Sequence, residues 1–292
     1  MRTDATDEIE LHRWNDGFTW QDHPGPFRRL TAEQVRHFDE GGFVVVADLL
    51  SPDELARTVE EIDRFEAQTD ARLRSLEGGR EVISEAGAIT FTTHLVTRSP
   101  WLRELVANET FSDVGADLIG PDVRLYWDQA VYKKPEKPRR FPWHQDNGYT
   151  FVEPQAYLTC WLALTDATVD NGCPQVVPGL HRLGTLRHRW VDPLGFECFA
   201  DHPAKVAAEV PAGGAVLFSS LTPHLTGPNT TGAVRKAYIV QYAPDGAVAC
   251  QGSPAEPPVG RQRCDAPGRQ FPILVGGRRP DRPPVGTVPG WT

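Results

Sequence analysis

Within Phe141–Tyr149, read FPWHQDNGY, a single residue separates His144 from Asp146. On an extended backbone, positions i and i+2 leave the same face, so an imidazole and a carboxylate point together. A second imidazole, His224, stands far along the chain in SSLTPHLTGPN. Two His and one Asp form the facial set that suits non-haem Fe(II) and leaves coordination positions open. Arg235 follows at the start of VRKAYIVQYA. Its planar fork matches a carboxylate, as a co-substrate chelating a metal at one end and carrying an acid at the other would require. Strand alternation sets Arg235 with Ala237, Ile239 and Gln241. Lys236 falls on the opposite face, where a surface ion pair suits it.

The chain that must position these groups has 292 residues, 40% of them hydrophobic and 24% charged. That is ordinary for a globular protein with a sizeable core. A net charge of −9 argues against broad nucleic-acid binding. Five Cys (160, 173, 198, 250, 264) lack any C-x-x-C pair, which fits reduced thiols better than a disulfide framework or a zinc site. The acidic opening MRTDATDEIELHRW has no apolar leader segment. No apolar run approaches the ~18 residues of a membrane span. A soluble, cytoplasmic protein is expected; oligomeric state is left open.

Residues 1–30, with scattered aromatics among polar residues and Pro, read as an irregular arm packed on the body. Thr31 and Ser51-Pro52 are helix starts, the second helix running to about Leu76 with Leu55, Val59, Ile62 and Phe65 at helical spacing. Shorter helices are expected near 100–107 and 111–118. Phe43–Ala47 and Ile89–Val96 read as strands. From Val123 onward β-rich runs dominate: 123–134, 156–165, 206–210, 215–219 and 234–243, punctuated by Gly, Pro and Asn. This texture predicts a sandwich or barrel. The Pro- and Gly-rich tail, 246–292, is expected to drape irregularly over the core, anchored by Phe271–Val275.

These residues together resemble the phytanoyl-CoA hydroxylase family of Fe(II)/2-oxoglutarate dioxygenases. The resemblance runs from about Leu30 to Ala243. It is strongest in WHQD, in NGCPQVVPGLHR (171–182) and in H-x-T-G-P-N followed by Arg235. It implies one domain over 31–245, mainly β with flanking helices: a double-stranded β-helix, the cupin-like jelly roll. It implies that His144, Asp146 and His224 hold iron and that Arg235 pairs the distal carboxylate of 2-oxoglutarate. By the same resemblance Thr226, Trp161 and Lys134 line the co-substrate pocket. Tyr132, on the face of Lys134, is a further candidate contact. Plain core packing is the alternative for Trp161 and Tyr132.

The implied reaction oxidises an unactivated C–H of a small organic molecule, consuming O₂ and releasing succinate and CO₂. The same centre could instead give desaturation, epimerisation or cyclisation; a non-catalytic cupin-like barrel is the reading from another class. Related halogenases lack the carboxylate that Asp146 supplies, which argues against halogenation. Two basic stretches, KKPEKPRR (133–140) and RLGTLRHR (182–189), would attract an anionic substrate if they lined the mouth, or are solvated loops. Trp143, Tyr149 and Phe151 either floor the site or pack. His181, His188 and His202 are expected at the surface, and His94 has no evident partner.

Overall fold

A computed structural model describes residues 9–281; the first residues of the expected arm and the last of the expected tail lie outside them. Among the described residues four α-helices form, each opened by a residue that caps its first turn. Thr31 and Gln34 close a reciprocal capping box on α1 (Ala32–Gly41), and Ser51 and Glu54 do so on α2 (Pro52–Ser75). In each box a side-chain oxygen accepts an otherwise orphaned backbone N–H. Helices α3 (Pro100–Leu105) and α4 (Glu109–Leu118) are capped by Ser99 and Asn108.

The main strands are β1 (Phe43–Val46), β2 (Ile89–Thr93), β3 (Val123–Lys133), β4 (Phe141–His144), β5 (Leu158–Ala163), β6 (Pro174–Val176), β7 (Val206–Ala207), β8 (Ala215–Ser219), β9 (His224–Thr226), β10 (Arg235–Pro244) and β11 (Pro272–Leu274). The large sheet runs β1-β8-β5-β10-β3-β2, with β11 joining the start of β3; the small sheet runs β7-β6-β9-β4. Their pairings are antiparallel. The fold is a double-stranded β-helix, mainly β with helices outside.

Alternation along β5 shows how one strand serves two cores. Leu158, Cys160 and Leu162 pack outward with Phe38, Ile62, Leu102 and Phe111 beneath the helices. Trp161 and Ala163 point inward, where Val131 and Ile239 of the large sheet meet Phe141 and Val176 of the small one. Helix α2 also docks through polar groups. The Tyr132 hydroxyl donates to Asp63 at 2.7 Å, Lys236 pairs with the same carboxylate, and Lys134 meets Glu66 at 2.8 Å.

Several expected boundaries move. Strand β2 stops at Thr93 because His94 takes a left-handed backbone, φ 57°, which an L-residue rarely adopts. The 206–210 strand shrinks to two residues. The NGCPQVVPG stretch, expected only as punctuation, contains β6. The tail is not irregular throughout: β11 is regular, and the Val248–Gln251 and Gly260–Arg263 strands pair with each other, the former also with Val152–Glu153. Pro272 is tolerated because it opens its strand, while Phe271, Ile273 and Leu274 are buried.

Gly172 presses the NGC loop onto the chain just past β9. Its φ is +82°, and a Cβ there would stand 2.3 Å from the Gly227 carbonyl oxygen. Both the backbone conformation and the close approach demand glycine. Gly172→Ala should cost ~1–3 kcal/mol, read as a lowered denaturation midpoint in urea. An unchanged midpoint would mean that the two loops do not press on each other.

Candidate metal centre

The two imidazoles meet because β4 and β9 pair with His144 directly opposite His224. Their ring centroids lie 4.1 Å apart. Asp146 stands just past β4, at the start of a short 3₁₀ turn over Asp146–Gly148. Gln145 is still extended (φ −104°, ψ 143°), so the i, i+2 relation survives although the strand ends at His144. Asp146 Oδ1 lies 3.6 Å from His144 Nε2 and 3.7 Å from His224 Nε2. Bonds of roughly 2.0–2.2 Å to a common ion place neighbouring donors roughly 3 Å apart, so a small side-chain adjustment closes the set.

Neighbouring groups aim each donor. His144 Nδ1 donates to the Pro142 carbonyl (2.9 Å) and His224 Nδ1 to that of Thr222 (3.0 Å). With the proton fixed on Nδ1, each Nε2 presents its lone pair to the centre. Asp146 Oδ2 accepts from the Thr159 hydroxyl at 2.5 Å and from Gln241 Nε2 at 2.8 Å, which leaves Oδ1 for a metal. Burial lowers His224 to about 4, with His144 adding to the effect. Burial alone would raise Asp146, but His224, His144 and Thr159 outweigh it and hold the carboxyl down at about 2. At neutral pH, His224 is therefore neutral and Asp146 anionic, as a divalent cation requires. Two imidazoles and a carboxylate fit ferrous iron.

Arg235 lies deep between the sheets, 1% exposed. Its guanidinium sits 4.9 Å from the Trp161 ring centre, and its protein hydrogen bond is a long one, 3.4 Å, to the Val131 carbonyl. Nε and Nη2 are buried without a partner. Burial lowers its pKa to about 9, which leaves it charged at neutral pH. A buried charge of this kind demands an anion with a planar pair of acceptors, and a carboxylate supplies one.

The remaining sequence-predicted residues divide. Trp161 and Thr226 are buried in the structure, Trp161 inward beside Arg235. Tyr132 and Lys134 are corrections. They face outward onto α2, held by Asp63 and Glu66, and cannot line the pocket. The lysine on the inner face is Lys133, directly across the ladder from Arg235. Its Nζ donates to the carbonyls of Arg139 (2.9 Å), Thr226 (2.8 Å) and Gly227. Burial, then Arg235 and Arg139, lower its pKa well below the usual lysine value. Gln241 and Thr159 also went unassigned, although the Arg235–Gln241 alternation already set Gln241 on the inner face.

The basic stretches are internally neutralised. Glu85 takes Lys137 and Arg139, Glu197 takes Arg140, Asp22 takes Arg182, and Glu10 takes Arg187 and Arg189. Neither of the expected surface imidazoles His181 and His188 is exposed. His181 is buried against the Asp39 carbonyl, and His188 Nε2 accepts from the Gln145 N–H. Tyr149 stands edge-on to His144, 5.3 Å between ring centres. Trp143 instead packs with Phe199, and Phe151 against His12 and Trp14.

The phytanoyl-CoA dioxygenase (PhyH) family model matches residues 38–237, and the chain belongs to that family. An ectoine dioxygenase of Bordetella bronchiseptica is 31% identical over 157 residues, 52% of this chain and 50% of the relative. The chain thus spans about half the length of the ectoine dioxygenases it matches. A methylphosphonate hydroxylase of Gimesia maris is 27% identical over 225 residues (73% and 80%), and human peroxisomal phytanoyl-CoA dioxygenase 25% over 232 (73% and 68%). Among solved structures, the non-heme alpha ketoglutarate dependent carbocyclase SnoK superposes with TM-score 0.62 at 26% identity, over 77% of this chain and 89% of that one. The epimerase SnoN, in complex with Fe3+, alpha ketoglutarate and nogalamycin RO, shares the fold with TM-score 0.65 at 20% identity, over 82% and 97%. Among the described residues no helix is long and apolar enough to cross a membrane.

If Gln241 and Thr159 orient Asp146 as described, Gln241→Leu should weaken Fe(II) or Mn(II) binding roughly 10–100-fold with the fold intact, while His224→Ala should abolish it. Metal titration calorimetry reads both. Wild-type affinity in Gln241→Leu would show that the amide merely packs.

Proposed function

We propose that this protein is an Fe(II)- and 2-oxoglutarate-dependent dioxygenase that oxidises an unactivated C–H bond of a small organic molecule. The observation carrying the reading is the pairing of a three-donor metal set with a buried, under-partnered guanidinium inside one β-barrel. A metal alone needs no Arg235, and a structural arginine would not be left without partners at two nitrogens. Balanced over a turnover, substrate R–H, 2-oxoglutarate and O₂ give R–OH, succinate and CO₂. Bound iron would supply the activation of dioxygen.

The chain's own residues do the rest. His144, Asp146 and His224 would hold the ion, as three protein donors that leave positions free for small molecules. Arg235, braced over Trp161, would hold the far carboxylate of 2-oxoglutarate. Lys133 ties down the Thr226–Gly227 backbone beside it. Inward-facing Val131, Phe141, Trp161, Phe218 and Ile239 keep bulk water from that end of the barrel. No side chain is needed as a general base. The present carboxylate of Asp146 speaks against halogenation.

A second reading, ring closure or epimerisation at the same centre, is supported by likeness to a carbocyclase and an epimerase. Which outcome follows depends on where the substrate places its C–H relative to the metal.

Anaerobic addition of Fe(II) and 2-oxoglutarate should raise a weak visible charge-transfer band. Arg235→Ala should weaken 2-oxoglutarate roughly 30-fold or more, since it removes a buried charged partner, yet leave metal affinity near wild type. Unaltered co-substrate affinity in that variant would rule out the pairing. Lack of succinate release across a broad substrate screen, with no such band, would favour a non-catalytic barrel.

A further inference from the structure

The barrel interior is closed at one end and open at the other. Inward positions on β3 pass from buried Lys133 and Val131 to half-exposed Gln129 and Trp127, and on β2 from buried Ile89 through half-exposed Phe91 to exposed Thr93. The metal set lies toward the open end, because Gln241, which holds Asp146, pairs across the ladder with Trp127. Directly opposed residues on one face have Cβ atoms about 4.5–5.5 Å apart, so Trp127 stands one strand over from a group touching the metal-binding carboxylate.

At this mouth Trp127 carries two neighbours. The His94 ring packs against its edge with centroids 4.3 Å apart, and the Arg269 guanidinium lies 6.0 Å from its ring centre. Arg269 Nη1 is 3.4 Å from His94 Nε2. Burial, with Arg269 beside it, lowers His94 to about 4, so the imidazole is neutral and accepts from the arginine. Among the described residues Arg269 makes no ion pair. The contrast with the basic loops is sharp, since the arginines there have acidic partners. The left-handed backbone of His94 turns the chain out of β2 and sets this ring at the mouth.

Building on the dioxygenase reading, we propose that Arg269, with Trp127 and His94, forms the subsite that receives an anionic group of the substrate, a carboxylate or a phosphate. The Trp face holds the adjoining apolar or planar part, and the guanidinium selects the charge. Specificity therefore comes in part from the tail, outside the stretch matched by the family model.

The test uses intrinsic tryptophan fluorescence of the full chain titrated with benzoate, phenyl phosphate and neutral benzamide. Titrations are run with and without saturating Mn(II) plus 2-oxoglutarate, which occupies Arg235. Wild type should bind at least one anion saturably, and Arg269→Ala should bind it about tenfold or more weakly. Benzamide should not distinguish the two proteins. Arg269→Lys should retain phenyl phosphate better than benzoate, because an amine keeps the charge but loses the fork. Preference between the two anions in wild type identifies the source of the charge. Equal anion binding by wild type and Arg269→Ala, equal binding of benzamide and benzoate by wild type, or no saturable anion binding would each overturn the proposal. Failure of the dioxygenase reading registers separately, as absence of any effect of Mn(II) plus 2-oxoglutarate.

Discussion

A single rung of an antiparallel ladder, His144 opposite His224, is the contact on which the site depends. Two residues eighty positions apart along the chain become neighbours only because β9 pairs with β4 in that register. A slip of β9 by one residue would send His224 to the other face of the small sheet and part it from His144. The register has support on both sides. β6 pairs regularly with β9 through Val176, Gln175 and Pro174. Gln145, buried next to His144, donates to the Gly184 and Leu221 carbonyls and accepts from the Leu186 N–H. The metal set is thus held by backbone geometry, and the metal-facing side chains need few rotamer choices of their own.

Much of this was legible beforehand. Residue identity and a two-residue offset sufficed for His144 and Asp146, and strand alternation separated Arg235 from Lys236. The large-sheet strands were readable because they run long and alternate. The small sheet was not, since three- and four-residue strands such as β6 and β9 contain Pro or sit among turn residues and lack a full period. The tail misled for a related reason: Pro and Gly counted over a window hide the Val248–Gln251 and Gly260–Arg263 strands, although the apolar anchor at Phe271–Val275 was legible and its Phe271–Leu274 part is buried against β3.

The resemblance placed Lys134, and with it Tyr132, in the pocket, and strand parity offers no simple check on that placement. Strand β3 contains an irregularity where Gln241 and Tyr242 pair with Trp127 and Leu125, which leaves Tyr126 as an extra residue. Leu125 before it and Ala130 and Tyr132 after it all pack toward the helices, so parity changes once along the strand. Counting from either end alone cannot reveal that change. Pairing can. Arg235 opposes Lys133, and opposed residues share a face, so whichever lysine faces Arg235 must be the inward one. Acidic residues of α2 gave an independent signal, because Asp63, Glu66 and Asp70 recur at helical spacing and require cationic or hydroxyl partners on the strand face beneath.

The two basic side chains side by side at the closed end, Lys133 and Arg235, have opposite fates, and the difference explains the polarity of the barrel. Lys133 spends its three donors on three carbonyls, so it can be accommodated in the interior without any further ligand. Arg235 has only one long bond to protein, and its burial is tolerable chiefly because an anion can complete it. The same logic separates the loop arginines paired to Glu10, Glu85 or Glu197 from Arg269 at the open end, whose neighbour is a neutral imidazole. Among the described residues, the arginines of the two basic loops have acidic partners while Arg235 and Arg269 do not. That is what the roles proposed for them, each receiving a group from solution, would require. The metal set lies along the path between them.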